Sequence, residues 1–132
     1  MDKPNVLLVV LDSVRAQNVG HLGYPRDTTP NLDEFSSRAT KYTNARSPGI
    51  HSISSHVSLF TGYEVAEHRA TAHGATIDSG HTIWETLSNV GYRTGLFTPN
   101  AIVAESSNLS DFFDQVEGPR RQELVFPDAL GP

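Results

Sequence analysis

Two points in this sequence carry residue types suited to ester chemistry. Asp12 stands directly after an apolar run, Asn5-Val-Leu-Leu-Val-Val-Leu11. Ligands of open α/β sheets bind beyond the carboxyl ends of strands, so an aspartate there is placed to hold a cation. It is equally well placed to cap a turn. Ser52, Ser54, Ser55 and His56 lie just ahead of Val57, Leu59 and Phe60, which read as the start of a short helix. The free N–H groups and positive dipole end of a helix attract anions, and a serine at that point could attack phosphorus or sulfur. Serine is a poor nucleophile at its own pKa and needs a base or a metal beside it; Asp12 offers a metal ligand from another strand end. The alternative is that the serines only cap the helix.

Six histidines are scattered through the chain, with no His-x-x-x-His zinc pair on a convincing helix. His68 and His73 flank a loop that follows the serine segment, within reach of an anion bound there. Asn100 follows a second apolar stretch, residues 92–97, where its side chain can face the same site or serve as a turn residue after Pro99.

The elements that must position these residues alternate. Residues 5–11 predict a central strand covered on both faces. Thr29 and Pro30 predict the start of a helix over 30–38, with Leu32, Phe35 and Ala39 at helical spacing. Residues 41–45 predict a strand. Residues 47–58 read as a loop feeding a short helix stopped by Gly62. Ile83, Leu87 and Val90 share one helical face, with Thr82 as cap and Gly91 as stop. Residues 92–97 predict another strand, and 109–114 a short helix before the Gly118-Pro119 turn and an irregular end. Such alternation predicts an α/β fold, a mostly parallel sheet flanked by helices.

Composition narrows the classes. The 132 residues can bury a core without staples, and the absence of cysteine excludes disulfides and thiolate metal sites. Ten Lys plus Arg against fifteen Asp plus Glu, a net charge of -5 with no basic cluster, argue against a nucleic-acid partner. The longest apolar run is far short of the roughly 20 residues that span a bilayer. Asp2 and Lys3 do not make a signal-peptide start. No membrane partner is expected, and the chain reads as soluble and cytoplasmic.

Taken in order, several stretches resemble the N-terminal part of the sulfatase family, within the alkaline phosphatase superfamily. They are Pro4-Asn-Val-Leu-Leu-Val-Val-Leu-Asp-Ser-Val-Arg15, His21-Leu-Gly-Tyr24, Thr29-Pro-Asn-Leu-Asp33, Ser52-Ile-Ser-Ser-His-Val-Ser-Leu-Phe-Thr-Gly62, His73-Gly74 and Gly91-Tyr-Arg-Thr94. The resemblance implies an alkaline-phosphatase-like fold of which residues 1–132 form the N-terminal portion. It implies a metal-dependent hydrolase acting on small-molecule sulfate or phosphate esters, with Ca, Mg, Mn or Zn as the divalent cation. Asp12 matches the first metal-binding aspartate. Ser52 matches the nucleophile, itself a metal ligand and the residue converted to formylglycine in true sulfatases. His56, His73 and Asn100 fall where substrate is bound.

The chain also departs from the family pattern. Ser54 and His56 stand where the sulfatase signature has proline and arginine, which counts against conversion of Ser52 to formylglycine. Ser13 replaces a second aspartate, and Pro99 and Ala101 replace a lysine and a histidine. A further Asp with His or Asn pair has no match. One carboxylate and one hydroxyl make a poor cage for a hard cation that takes about six oxygens. The expectation is therefore half of a site, with a phosphoryl or phosphoalcohol transferase using unmodified Ser52 as one alternative and a non-catalytic degenerate fragment as another. A truncated sheet should also expose an edge and favour self-association.

Overall fold

The computed structural model describes residues 3–105 and 107–119. The chain divides into two compact units, Met1–Arg46 and Ser47–Pro132.

In the first unit, residues 5–11 form no strand, and Val6, Leu7, Leu8, Val9, Val10 and Leu11 are between 44% and 86% exposed. The expected central strand is thereby corrected for the described residues. Strand propensity measures how well a side chain fits a pleated, half-buried surface, and that surface comes from neighbouring strands. Without a described neighbour, an apolar β-branched run has nothing to pair with. Residues 41–45 likewise form a turn instead of the expected strand.

Helix α1 spans Pro30–Ser36, with proline in its first turn as expected. Thr29 occupies the cap position but gives the helix no side-chain cap. Its hydroxyl instead accepts from the Gly20 N–H at 2.9 Å and donates to Asp33 Oδ1 at 3.0 Å. The His21 N–H donates to the same oxygen at 2.7 Å. This closes the 3₁₀ turn Gly20–Leu22 onto α1, and a Cβ on Gly20 would collide with the Asp33 carboxylate. Leu32 and Phe35, at helical spacing on this helix, are 38% and 52% exposed.

The second unit holds the core. Helix α2 covers Ser52–Thr61, α3 Val65–His68 and α4 Ile83–Asn89; strand β1 covers Gly95–Phe97, followed by α5 Ala101–Ala104, a 3₁₀ turn Asn108–Phe112 and strand β2 Gln115–Glu117. Strands β1 and β2 pair in parallel, with Gly95 opposite Gln115 and Phe97 opposite Glu117. Ile53, Val57 and Phe60 recur at i, i+4 and i+7 on α2 and bury against Ala70, Val103 and Leu109.

Helix α2 begins at Ser52, inside the segment expected to be loop. Two serines on its packed face mask the helical period, and both hydroxyls are satisfied: Ser54 Oγ donates to the His51 carbonyl at 3.1 Å, and Ser58 Oγ meets His68 Nε2 at 2.9 Å. Gly62, at φ 76°, ends the helix as expected.

Local signals elsewhere translate directly. Thr82 Oγ1 accepts from the Glu85 N–H and Glu85 Oε2 from the Thr82 N–H, a capping box that starts α4. Gly91 follows its end at φ 87°. The expected strand over 92–97 is realised only at Gly95–Phe97, and the expected helix over 109–114 is the 3₁₀ turn Asn108–Phe112. One parallel strand pair with helices is thus the α/β element among the described residues, and a larger sheet is not formed there. No described helix is long and apolar enough to cross a membrane. The irregular end expected after Pro119 lies outside the described residues.

Candidate active site

Ser52 is the first residue of α2, half-buried, one position before Ile53. Because Ile53, Val57 and Phe60 fix the rotation of the helix against the core, Ser52 lies about 100° around the axis from the buried stripe, at its edge. The residue ahead of it, His51, has extended backbone and supplies no side-chain cap.

Asn100 comes from a different part of the unit, at the start of α5. Its Nδ2 donates to Ser52 Oγ at 3.2 Å, and its Oδ1 accepts from the Ile102 N–H at 3.0 Å. The structure thus joins two of the sequence-predicted site residues across 48 positions of chain. His56 joins them through the helix itself. Its Nδ1 lies 2.8 Å from the Ser52 carbonyl oxygen, which only accepts, so Nδ1 carries the hydrogen. The His56 ring also meets Phe60 edge-on at 5.9 Å.

His73 is exposed in a tight turn closed by the Ala75 N–H on the Ala72 carbonyl, and nothing among the described residues ties it to Ser52. Asp12 lies in the first unit. Ser13 Oγ donates to its Oδ1 at 3.2 Å, and Ser13 itself sits at φ 61°. Left-handed backbone costs a residue with a Cβ about 1 kcal/mol, so a tight turn is held here immediately after the apolar run.

His68, within reach of an anion by sequence order, is engaged otherwise. The Ala70 N–H donates to its Nδ1 at 3.0 Å, which leaves the hydrogen of the neutral ring on Nε2, facing Ser58 Oγ. Burial holds His68 below its ordinary 6.5, against the pull of the Glu67 carboxylate. A charged ring would set Nδ1–H against the Ala70 N–H. The unfolded chain therefore binds more protons at mildly acid pH, and the stability contributed by neutral His68 is complete above about 6.5 and lost as pH falls through its folded pKa. Urea midpoints should decline from pH 7.5 to 5.5. His68→Gln should flatten that decline, and an unchanged slope in the variant would assign it to other groups.

Two concavities of about 460 and 320 Å³ open in the second unit, lined in part by Glu85, Asn108 and Asp114, and by Tyr63, His68 and His81. Neither is lined by Ser52 or Asn100.

A family model described as Sulfatase matches residues 4–124, nearly the whole described chain. The chain belongs to the sulfatase family. An arylsulfatase of Clostridium perfringens is 30% identical over 94 residues, covering 70% of this chain and 20% of that protein. Bovine arylsulfatase A is 30% identical over 101 residues, with the same coverage. A multifunctional alkaline phosphatase superfamily protein, PehA, of Trinickia caryophylli is 30% identical over 102 residues, covering 73% of this chain and 20% of its own. The chain thus spans about a fifth of the length of these curated relatives. No solved structure matches it.

Sulfatase family enzymes use a divalent metal, and the donors in this chain can be tested against that need. Among the described residues no group of three or more His, Asp or Glu comes together. Asp12, in the first unit, and Ser52, in the second, are one carboxylate and one hydroxyl by type, and neither alone offers the six or more oxygens that a hard cation takes.

Proposed function

We propose that this chain is the N-terminal portion of a sulfatase-like catalytic domain that hydrolyses small-molecule sulfate or phosphate esters, with Ser52 as the nucleophile. The observation that carries the reading is the convergence of Ser52, the first residue of α2, with the amide of Asn100. A transferred sulfuryl or phosphoryl group is anionic, and the helix start and amide both present donors of hydrogen bonds. His56 and His73 belong to the substrate side of this reading. In this reading Asp12 and Ser52 are the candidate donors to Ca, Mg, Mn or Zn that the sequence singles out, and a complete cage needs further oxygen ligands.

Phosphoryl chemistry on unmodified serine is the second reading, favoured by Ser54 and His56 at the positions of the signature proline and arginine. Here Ser54 is turned into the helix start and His56 onto the Ser52 carbonyl. Hydrolysis of an aryl sulfate against an aryl phosphate by a longer version of the chain separates the two. The mass of the Ser52 peptide gives an independent answer, since formylglycine is lighter than serine by two hydrogens.

The exposed apolar run at residues 6–11 motivates a proposal about association as well. Two copies that pair these segments would cover apolar side chains and complete backbone hydrogen bonds together. Light scattering should show dimers or larger species whose fraction grows with concentration. A monodisperse monomer at all concentrations would remove the proposal.

A further inference from the structure

The side chain of Asn100 bonds Ile102 through one end and Ser52 through the other. Its backbone is fixed first: the Asn100 N–H donates to Thr98 Oγ1 at 3.1 Å, and its carbonyl accepts from the Val103 and Ala104 N–H groups, each at 3.0 Å. Its side chain is fixed next, because Oδ1 is the cap of α5 and accepts from the Ile102 N–H. A carboxamide has one accepting end and one donating end. With the accepting end held by Ile102, the end that reaches Ser52 Oγ is the donor Nδ2. Turning the amide over would set NH₂ against the Ile102 N–H and lose the cap.

We infer that Asn100 is the positioning residue of Ser52, its cap-locked amide donating to Oγ and thereby selecting the hydroxyl's rotamer and turning its proton away from α5. The inference rests on the reading of Ser52 as nucleophile and adds to it a device that orients the attacking oxygen. A hydrogen bond donated to Oγ strengthens as negative charge grows on that oxygen, so the same contact favours the charged form over the neutral one. The amide is neutral and does not release a proton, so it orients without acting as an acid.

Asn100→Asp separates the two duties. Aspartate caps a helix as well as asparagine does, so the Ile102 N–H keeps its partner, whereas the donor to Ser52 becomes an acceptor. In ¹⁵N-labelled protein, Ser52→Ala should shift the Asn100 side-chain NH₂ pair while the Ile102 amide, which reports the cap, stays in place. An Asn100 pair that ignores Ser52→Ala, with Ile102 unmoved, overturns the inference. In a longer version that hydrolyses 4-nitrophenyl sulfate or phosphate, Asn100→Asp should lower kcat about tenfold or more with the melting temperature nearly unchanged. An unaltered kcat there also overturns it. The two readings fail separately. Hydrolysis lost in Ser52→Ala with a static Asn100 pair sinks the positioning role alone, and hydrolysis retained with a shifted pair sinks the nucleophile while leaving the contact.

Discussion

Ser52→Ala is expected to lower kcat/KM for aryl sulfate or phosphate hydrolysis by about 10³-fold or more, in a longer version of the chain that completes the site. If Ser52 is the nucleophile, the change deletes the attacking oxygen and no other side-chain heavy atom. Alanine is the best helix former, and position 52 opens α2, so the backbone tolerates it. The Asn100 hydrogen bond is lost at a cost of about 1 kcal/mol, a small part of the stability of a domain. Activity and stability should therefore part company: nearly complete loss of turnover, with a melting temperature within a few degrees of the parent. Full retained turnover would move the nucleophile to another residue. Intermediate loss with a reduced KM would indicate a binding role for the hydroxyl in place of attack.

The elements and the candidate site residues were legible in the sequence to the extent that their signals are local. Asp12 after an apolar run and Ser52 ahead of another need only the order of residues. Thr82, Glu85 and Gly91 bounded α4 because caps are read within one turn of chain. What escaped was set by partners distant in sequence. The 6–11 run has the composition of a buried strand, yet a strand is completed by neighbours. The start of α2 escaped because Ser54 and Ser58 sit on its buried face, and their hydroxyls are satisfied by His51 and His68. The contact of Asn100 with Ser52 spans 48 residues and leaves no spacing rule behind. Asn100 could be placed near the site by following a strand, but only the cap on Ile102 shows which end of its amide faces the serine.

Phe60→Ala is the stability counterpart and is expected to cost about 3–5 kcal/mol. Phe60 is 3% exposed and is the hinge of an aromatic group, edge-on to Trp84 at 5.4 Å and to Phe113 at 5.8 Å. Removing its ring leaves a cavity bounded by α2, α4 and the segment after the last 3₁₀ turn, whose backbones cannot all close on it. A loss of that size is a large fraction of the 5–15 kcal/mol that stabilises an ordinary domain. Trp84 is the single tryptophan of the chain, so its fluorescence in urea reports this cluster directly. The midpoint should fall by about 2 M, with Phe60→Leu falling less because it keeps most of the volume. A loss below about 1 kcal/mol would mean that α2 is not seated by this ring. The seat also aims Ser52, since the buried stripe of Ile53, Val57 and Phe60 fixes the rotation of the helix that carries it. Phe60→Ala should therefore also loosen the Ser52 to Asn100 contact, and the Asn100 side-chain NH₂ pair should move toward its position in Ser52→Ala.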